Sequence, residues 1–309
     1  MSKVDCSIIF PLLNEEENII NAYEVVGSLI KKAGLTCEFI FVDDGSTDNS
    51  FNILKDLAKK DKTVKVVSFS RNFGQQTASY VGFKYSKGKC AINMDIDLQE
   101  NPEVVLDMIK SWQEGYEVIT IKRKKRRDGL LKRFTAFIYF KLLKKIGVKD
   151  IDNLAEFRLL DRKAIDKLLE IKEKNIFLKG QINWLGFKRK ILKVEREKRK
   201  FGKSKLSFKK LAPIAVKSVV NATNKPLYWS FGLSILMHTL SLFSIITFVI
   251  LSICKVSFAA AFWLIPVIIS CTATILMVLG FIGMYLAFTY DEVRDRPVYI
   301  IKETINIED

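Results

Sequence analysis

Two short acidic clusters each follow an apolar run of the kind that forms a buried strand. Asp43 and Asp44 end one run, and Asp95 and Asp97 end another. The carboxyl ends of strands in an open α/β sheet border the crevice where such sheets bind ligands. Asp95 and Asp97 are two positions apart, so an extended chain places both on one face. This pair predicts a site for a hard divalent cation that carries the phosphates of a substrate.

The first 125 residues alternate strand-like and helix-like segments with short connections between them. The pattern predicts strands at 5–12, 37–42, 64–70, 90–94 and 117–121, and helices at 16–33, 47–60, 75–86 and 102–114. Ser46 is expected to cap the second helix. Short connections predict parallel pairing through right-handed crossovers. Neither GxGxxG nor GxxxxGK[ST] occurs, which excludes dinucleotide-binding and P-loop sites.

The pattern changes after residue 133. Helices are predicted at 130–146, 162–171 and 176–185, and strands at 157–160 and 190–194. Residues 207–224 mix apolar and basic side chains at helical spacing, which is typical of a helix lying in a membrane interface.

Two long apolar runs follow, at about 227–254 and 258–290. Each exceeds the roughly 20 apolar residues that a helix needs to cross a bilayer. The sequence therefore predicts a hairpin of two transmembrane helices.

The formal charge of +16 is concentrated beside these runs. Lysine and arginine cluster at 122–133 and 188–210, and three more cations follow the second run. The positive-inside rule then predicts that both flanks are cytoplasmic and that the hairpin tip is outside. This placement favours anionic lipid headgroups over nucleic acid as the partner of the basic residues.

Seven motifs occur in order along nearly the whole chain. They lie at 11–15, 42–48, 71–74, 94–99, 157–162, 201–205 and 290–297. In order and spacing they resemble the family 2 glycosyltransferases of GT-A fold. Within that family they are similar to the polyprenyl-phosphate glycosyltransferases, the group of dolichol-phosphate mannose synthase and the bactoprenol glucosyltransferases.

The resemblance implies an α/β, Rossmann-like GT-A domain over 1–206 in the cytoplasm. It also implies an interfacial helix at 207–226, a transmembrane hairpin at 227–290 and a cytoplasmic tail at 291–309. Such an enzyme would work in the bacterial inner membrane as a homo-oligomer. It would transfer a hexose, most simply glucose from UDP-glucose, to undecaprenyl phosphate with inversion. UDP-GlcNAc, UDP-galactose and GDP-mannose remain open as donors.

The resemblance also implies site residues. Those expected to bind the nucleotide sugar are Pro11, Leu13, Glu15, Asp43, Asp44, Asp95, Ile96, Gln99, Arg199 and Lys205. Asp95 and Asp97 would hold Mg²⁺ or Mn²⁺, with Asp97 also catalytic. Arg123 and Arg126 would grip the acceptor phosphate, although Lys122 and Lys125 fit equally if the register slips by one.

One position departs from the family pattern. The family carries Asp before Phe-Arg, and that Asp is its suspected base, but this chain has Glu156 there. A phosphate monoester has a second pKa near 6, so a lipid phosphate is largely an anionic nucleophile at pH 7. It needs orientation more than deprotonation. Both roles, base and orienting group, stay open for Glu156.

Two other functions compete. A processive polysaccharide synthase would carry a Gln-x-x-Arg-Trp motif and more spans, and the segment 181–184 matches that motif only superficially. The second alternative is a non-catalytic membrane partner that binds nucleotide. It is favoured only by the segment 154–156, which departs from the family pattern, and the presence of both Asp95 and Asp97 argues against it.

Overall fold

The computed structural model describes residues 4–123, 154–194 and 261–307, with scattered positions between 235 and 253. Two compact units divide the chain. Among the described residues, the first contains 4–123, 154–194 and 297–307, and the second contains 261–296 and the scattered positions between 235 and 253.

Eight strands and seven helices are defined in the described residues. The strands are β1 (Cys6–Leu12), β2 (Cys37–Asp43), β3 (Val64–Phe69), β4 (Cys90–Asn93), β5 (Val118–Arg123), β6 (Leu154–Asp161), β7 (Arg189–Val194) and β8 (Ile301–Ile305). The helices are α1 (Ile19–Lys32), α2 (Ser50–Lys60), α3 (Gln75–Tyr85), α4 (Val104–Gln113), α5 (Arg162–Leu169), α6 (Leu178–Trp184) and α7 (Ala261–Val293).

One sheet joins all eight strands in the order β7-β5-β6-β4-β1-β2-β3-β8. The parallel pairing predicted for the first half is confirmed for β1 to β4, since β1 pairs in parallel with β2 and β4, and β2 with β3. Among the described strands, β5 pairs with no strand of the first half and lies between β6 and β7. β6 runs antiparallel to both β4 and β5, and β8 runs antiparallel to β3. The sheet is therefore mixed, with a parallel centre.

The centre of this sheet is buried on both faces. Ile8 and Phe10 of β1 pack in an apolar cluster with α1, α2 and α4. Ile9, which points the other way because strand side chains alternate, packs with α3, α5 and α6. Helices on both faces explain why β1 is apolar at nearly every position.

The predicted cap of the second helix is wrong. α2 begins at Ser50, after Asn49, and not at Thr47. The hydroxyl of Ser46 instead accepts a hydrogen bond from the backbone N–H of Asn14, at 2.9 Å. Ser46 therefore belongs to the contact between two loops.

The strand β8 lies within 291–309, where the sequence analysis predicts no secondary structure. It closes the β3 edge of the sheet by antiparallel pairing. Just after it, the side-chain amide of Asn306 donates to the carbonyls of Ala58 and Val64, both at 2.8 Å. This segment is thus part of the sheet unit.

In the second unit, α7 contains a stretch, Ser270–Ala287, that is long and apolar enough to cross a membrane. It is the one such helix among the described residues, and it covers most of the second predicted span. The first predicted span, 227–254, is described only at scattered helical positions, so a two-helix hairpin is not shown. The helices predicted at 130–146 and 207–224 lie outside the described residues.

Candidate active site

The loops after β1 and β2 are locked together at the carboxyl edge of the sheet. Asn14 donates its backbone N–H to Ser46, and its side-chain oxygen accepts the N–H of Thr47 at 2.8 Å. Asn14 adopts φ +55°, a left-handed conformation that asparagine tolerates better than most residues. Two neighbouring strand ends thereby form one wall.

Gly45 brings a third loop against this wall. Its φ is +74°, and a Cβ added there would lie 2.6 Å from the carbonyl carbon of Arg71. A side chain therefore has no room, and the backbones of the β2 and β3 loops approach directly. Glycine is required here for both reasons.

The two adjacent aspartates at the end of β2, Asp43 and Asp44, accept hydrogen bonds from different loops. Asp43 accepts hydrogen bonds from the N–H of Ser46 at 2.9 Å and from the Ser68 hydroxyl at 2.8 Å. Asp44 accepts the N–H groups of Phe73, at 2.6 Å, and Gly74, at 2.9 Å. Burial raises the pKa of Asp44, and these two N–H donors act in the opposite direction.

These loops enclose a cleft of about 350 Å³. Seven of the residues predicted from the sequence line it: Pro11, Leu13, Glu15, Asp44, Asp95, Ile96 and Asp97. Asp43 and Gln99, which were predicted to bind the nucleotide sugar, are not among its lining residues, because Asp43 is turned into the β2 loop and Gln99 is bonded to Asp97.

The predicted metal-binding pair enters this cleft after β4. Gln75 at the start of α3 donates to Asp95 Oδ1 at 2.7 Å, and the side-chain amide of Gln99 donates to Asp97 Oδ2. Two carboxylates on one cleft offer the oxygen ligands that Mg²⁺ and Mn²⁺ prefer, and diphosphate oxygens and water would complete the shell. The donor set fits such an ion. Among the described residues, no group of three or more His, Cys, Asp and Glu side chains is placed to hold a metal by itself.

Glu156 lies in β6 and is bound by two cations. Its carboxylate pairs with Arg158 and with Lys179, whose Nζ is 2.9 Å from Oε1. Burial alone would raise the pKa of Glu156, but Arg158, Lys179 and a hydrogen bond from Gln76 lower it to about 2. Glu156 is therefore ionised at every physiological pH and is a weak base.

The family model described as glycosyl transferase family 2 matches residues 7–169. The chain belongs to glycosyl transferase family 2. It is 35% identical to glycosyltransferase YkcC of Bacillus subtilis, over 99% of this chain and 95% of that protein. It is 31% identical to the SfII prophage-derived bactoprenol glucosyl transferase of Shigella flexneri, over 96% of this chain and 97% of that protein.

Solved structures agree on the fold. Glucosyl-3-phosphoglycerate synthase of Mycobacterium tuberculosis, crystallised with Mn²⁺, UDP-glucose and phosphoglyceric acid, superposes with a TM-score of 0.54. The match covers 71% of this chain and 78% of that one, at 18% identity. The sheet unit therefore has the GT-A fold that the motifs predicted.

Within this family 2 glycosyltransferase, the predicted phosphate-binding cations fall at the limit of the described residues. Arg123 ends β5, and only its backbone is described. Arg126, Arg199 and Lys205 lie outside the described residues. Gln75, Gln76 and Lys179 are not among the residues predicted from the sequence. The first two directly follow the motif at 71–74, which is a usable signal, whereas Lys179 is brought in by the tertiary fold.

Proposed function

We propose that this glycosyltransferase transfers a hexose, glucose from UDP-glucose, to undecaprenyl phosphate with inversion at the anomeric carbon. The observation that carries the proposal is the likeness, over 96% of the chain, to relatives named bactoprenol glucosyl transferase. The cleft supports it, because seven of the residues expected to bind the nucleotide sugar or its metal ion line it.

On the donor side, Pro11, Leu13 and Glu15 border the space for the base and ribose, with Asp44 beside them. Asp95 and Asp97 would hold Mg²⁺ or Mn²⁺ on the diphosphate. When bound, that ion neutralises the negative charge that develops on the departing nucleoside diphosphate. Gln75 fixes the carboxylate of Asp95, and Gln99 fixes that of Asp97, so both are oriented before the donor arrives.

On the acceptor side, a phosphate oxygen attacks the anomeric carbon from the face opposite the leaving diphosphate. The acceptor is already largely anionic at neutral pH. A carboxylate with a pKa of about 2 is poorly matched to proton removal at pH 7. We therefore assign Glu156 to orientation of the site. Arg123 and Arg126 are proposed as cations for the acceptor phosphate.

The membrane arrangement is part of the proposal. Residues 227–254 and 258–290 are assigned as two spans, 207–226 as an interfacial helix, and the sheet unit as cytoplasmic in a bacterial inner membrane. The length and apolar character of α7 support the second span. We also propose that the protein forms a homo-oligomer in which these spans pack together.

The test is turnover by the purified full chain in detergent. Radiolabelled UDP-glucose, undecaprenyl phosphate and Mg²⁺ are expected to give a lipid carrying one glucose, resolved by thin-layer chromatography. Undecaprenol without phosphate should give none, and UDP-GlcNAc, UDP-galactose and GDP-mannose should be poorer donors. A polymer would instead indicate a polysaccharide synthase, and no transfer from any donor would indicate a non-catalytic partner.

Metal dependence is tested in the same assay. EDTA should abolish transfer, and Asp97→Asn should lose most activity and weaken Mn²⁺ binding while the protein stays folded. Asp107→Asn, an exposed change on α4, is the matched control and should behave like wild type. Substantial turnover in the presence of EDTA would contradict the proposed metal dependence.

A further inference from the structure

Glu156 is the centre of a charged cluster that the donor site does not use. The cluster consists of Glu156, Arg158 and Lys179, joined by the two ion pairs already described. Gln76 of α3 contributes a hydrogen bond to Glu156 and accepts the backbone N–H of Leu178 at 3.2 Å. The first turn of α6, which carries Lys179, is thereby pinned to α3.

Strand register places this cluster at the working edge of the sheet. β6 runs antiparallel between β4 and β5. Arg158 pairs with Asn93, the last residue of β4, and Leu154 pairs with Lys122 near the end of β5. Glu156 lies between these two pairs, and its carbonyl accepts the side-chain N–H of Asn93 at 3.0 Å. The cluster is thus between the strand that leads to the aspartate pair and the strand that ends in Arg123.

Helix α3 connects the cluster to the metal-binding pair by adjacent residues. Gln75 donates to Asp95, and the next residue, Gln76, is bonded to Glu156. One helix end therefore contacts both carboxylates. Gln75 lines the cleft and Gln76 does not, so the cluster lies beside the cleft and is joined to it through the first turn of α3.

Charge and exposure distinguish the members of the cluster. One carboxylate and two cations leave one excess positive charge. The Arg158 side chain is 2% exposed and both of its described contacts are to Glu156, so it is enclosed. The Lys179 side chain is 24% exposed. An ammonium group has three N–H donors, and Glu156 takes one of them. The excess charge is accessible at Lys179.

We propose that Lys179, held in place by Glu156, binds the phosphate monoester of the acceptor. This inference rests on the proposed function for the identity of the acceptor. Arg158 and Gln76 act as positioning residues, because they contact Glu156 and not the ligand. Glu156 serves to orient the lysine, because its carboxylate contacts the ammonium group of Lys179 from β6. A dianionic phosphate near neutral pH then meets a cation that is already oriented.

Equilibrium binding tests the inference without requiring turnover. Farnesyl phosphate is titrated into the full chain in detergent with UDP and Mg²⁺ present. Lys179→Met keeps the aliphatic stem and removes the charge, so affinity should fall on the order of ten- to a hundredfold, as expected for a lost charge-assisted hydrogen bond. Lys167→Met, which removes an exposed lysine of α5 that pairs with Glu170 just after the helix, is the control and should bind like wild type. Equal affinities in wild type and Lys179→Met would overturn the inference.

Kinetics then separates the acceptor phosphate from the donor diphosphate. Lys179→Met should raise the KM for undecaprenyl phosphate and leave the KM for UDP-glucose near wild type. A rise confined to the donor KM would overturn the acceptor assignment. Lys179→Arg keeps the charge and should bind farnesyl phosphate nearly as wild type does, which a purely structural requirement for lysine would not allow. If wild type bound farnesyl phosphate more tightly than Lys179→Met but transferred no sugar, the proposed function would be contradicted and this inference would still be supported.

Discussion

At the scale of single residues, the site depends on which way each carboxylate faces. Asp43 and Asp44 are adjacent, and side chains alternate along an extended chain, so one serves the β2 loop and the other lines the cleft. Asp95 and Asp97 are two apart and both line the cleft. The sequence spacing predicts this second result directly. For the first pair, both aspartates were expected to bind the nucleotide sugar, but only Asp44 lines the cleft.

Glu156 leads to a prediction about pH. Its pKa is about 2 in the folded protein against an ordinary 4.5, so its stabilising contribution is complete above pH 4.5 and is lost as the pH falls towards 2. This difference corresponds to about 3 kcal/mol. Glu156→Gln should lower the melting temperature at pH 7 and flatten the decline in stability between pH 4.5 and 3, measured by thermal unfolding. Its activity should be reduced without a new pH optimum.

The control for this experiment is Glu170→Gln, which breaks an exposed pair with Lys167 and should change stability little. If Glu156→Gln recovered activity steeply at high pH, Glu156 would be a general base and the orienting role would be wrong.

At the scale of elements, the alternation of strands and helices is predicted closely in the first half. The first predicted strand, 5–12, is observed as Cys6–Leu12, and the predicted helix 75–86 as Gln75–Tyr85. These bounds can be predicted because the spacing of apolar residues along the chain differs between strands and helices. The direction of β6 and the pairing of β8 were not predicted, because they depend on partners remote in sequence. The contact between Glu156 and Lys179 was missed for the same reason.

Gly45 tests how closely the loops around the cleft must approach. Gly45→Ala introduces a Cβ 2.6 Å from the backbone of Arg71, in addition to the cost of a left-handed alanine. Gly115→Ala is the matched control, since its φ is +88° and nothing lies within 4 Å of an added Cβ. The control should lose about 1–2 kcal/mol of unfolding free energy. Gly45→Ala should lose clearly more, in urea unfolding, and should raise the KM for the donor. Equal losses of unfolding free energy in Gly45→Ala and Gly115→Ala would show that the two loops can move apart without destabilising the protein.

At the scale of the whole molecule, a GT-A sheet unit is followed by a long apolar helix, and the chain then returns to the sheet. The fold and the family can both be predicted from the sequence, because the motifs occur in the order and spacing of the family. The proposed membrane topology rests on the placement of positive charge beside the apolar runs. The proposed arrangement has 227–254 and 258–290 as spans with both flanks in the cytoplasm.

Cysteine labelling in intact cells tests this arrangement. With Cys254 replaced, Ser257→Cys at the proposed hairpin tip should react with an impermeant thiol reagent. Ser207→Cys should react only after the cells are opened. The reverse pattern would place the sheet unit outside the cell, away from its supply of nucleotide sugar.

The pairing of β3 with β8 also has a consequence for biosynthesis. β8 is translated after α7, so the ribosome has made more than 230 residues beyond β3 before this edge strand can pair with it. During that interval β3 has an open edge with unpaired N–H and C=O groups, a surface that invites pairing with another chain. The amino-terminal strands can fold as they emerge, but the sheet can be completed only late in synthesis. Nascent chains stalled between α7 and β8 should therefore be more prone to aggregation than finished ones.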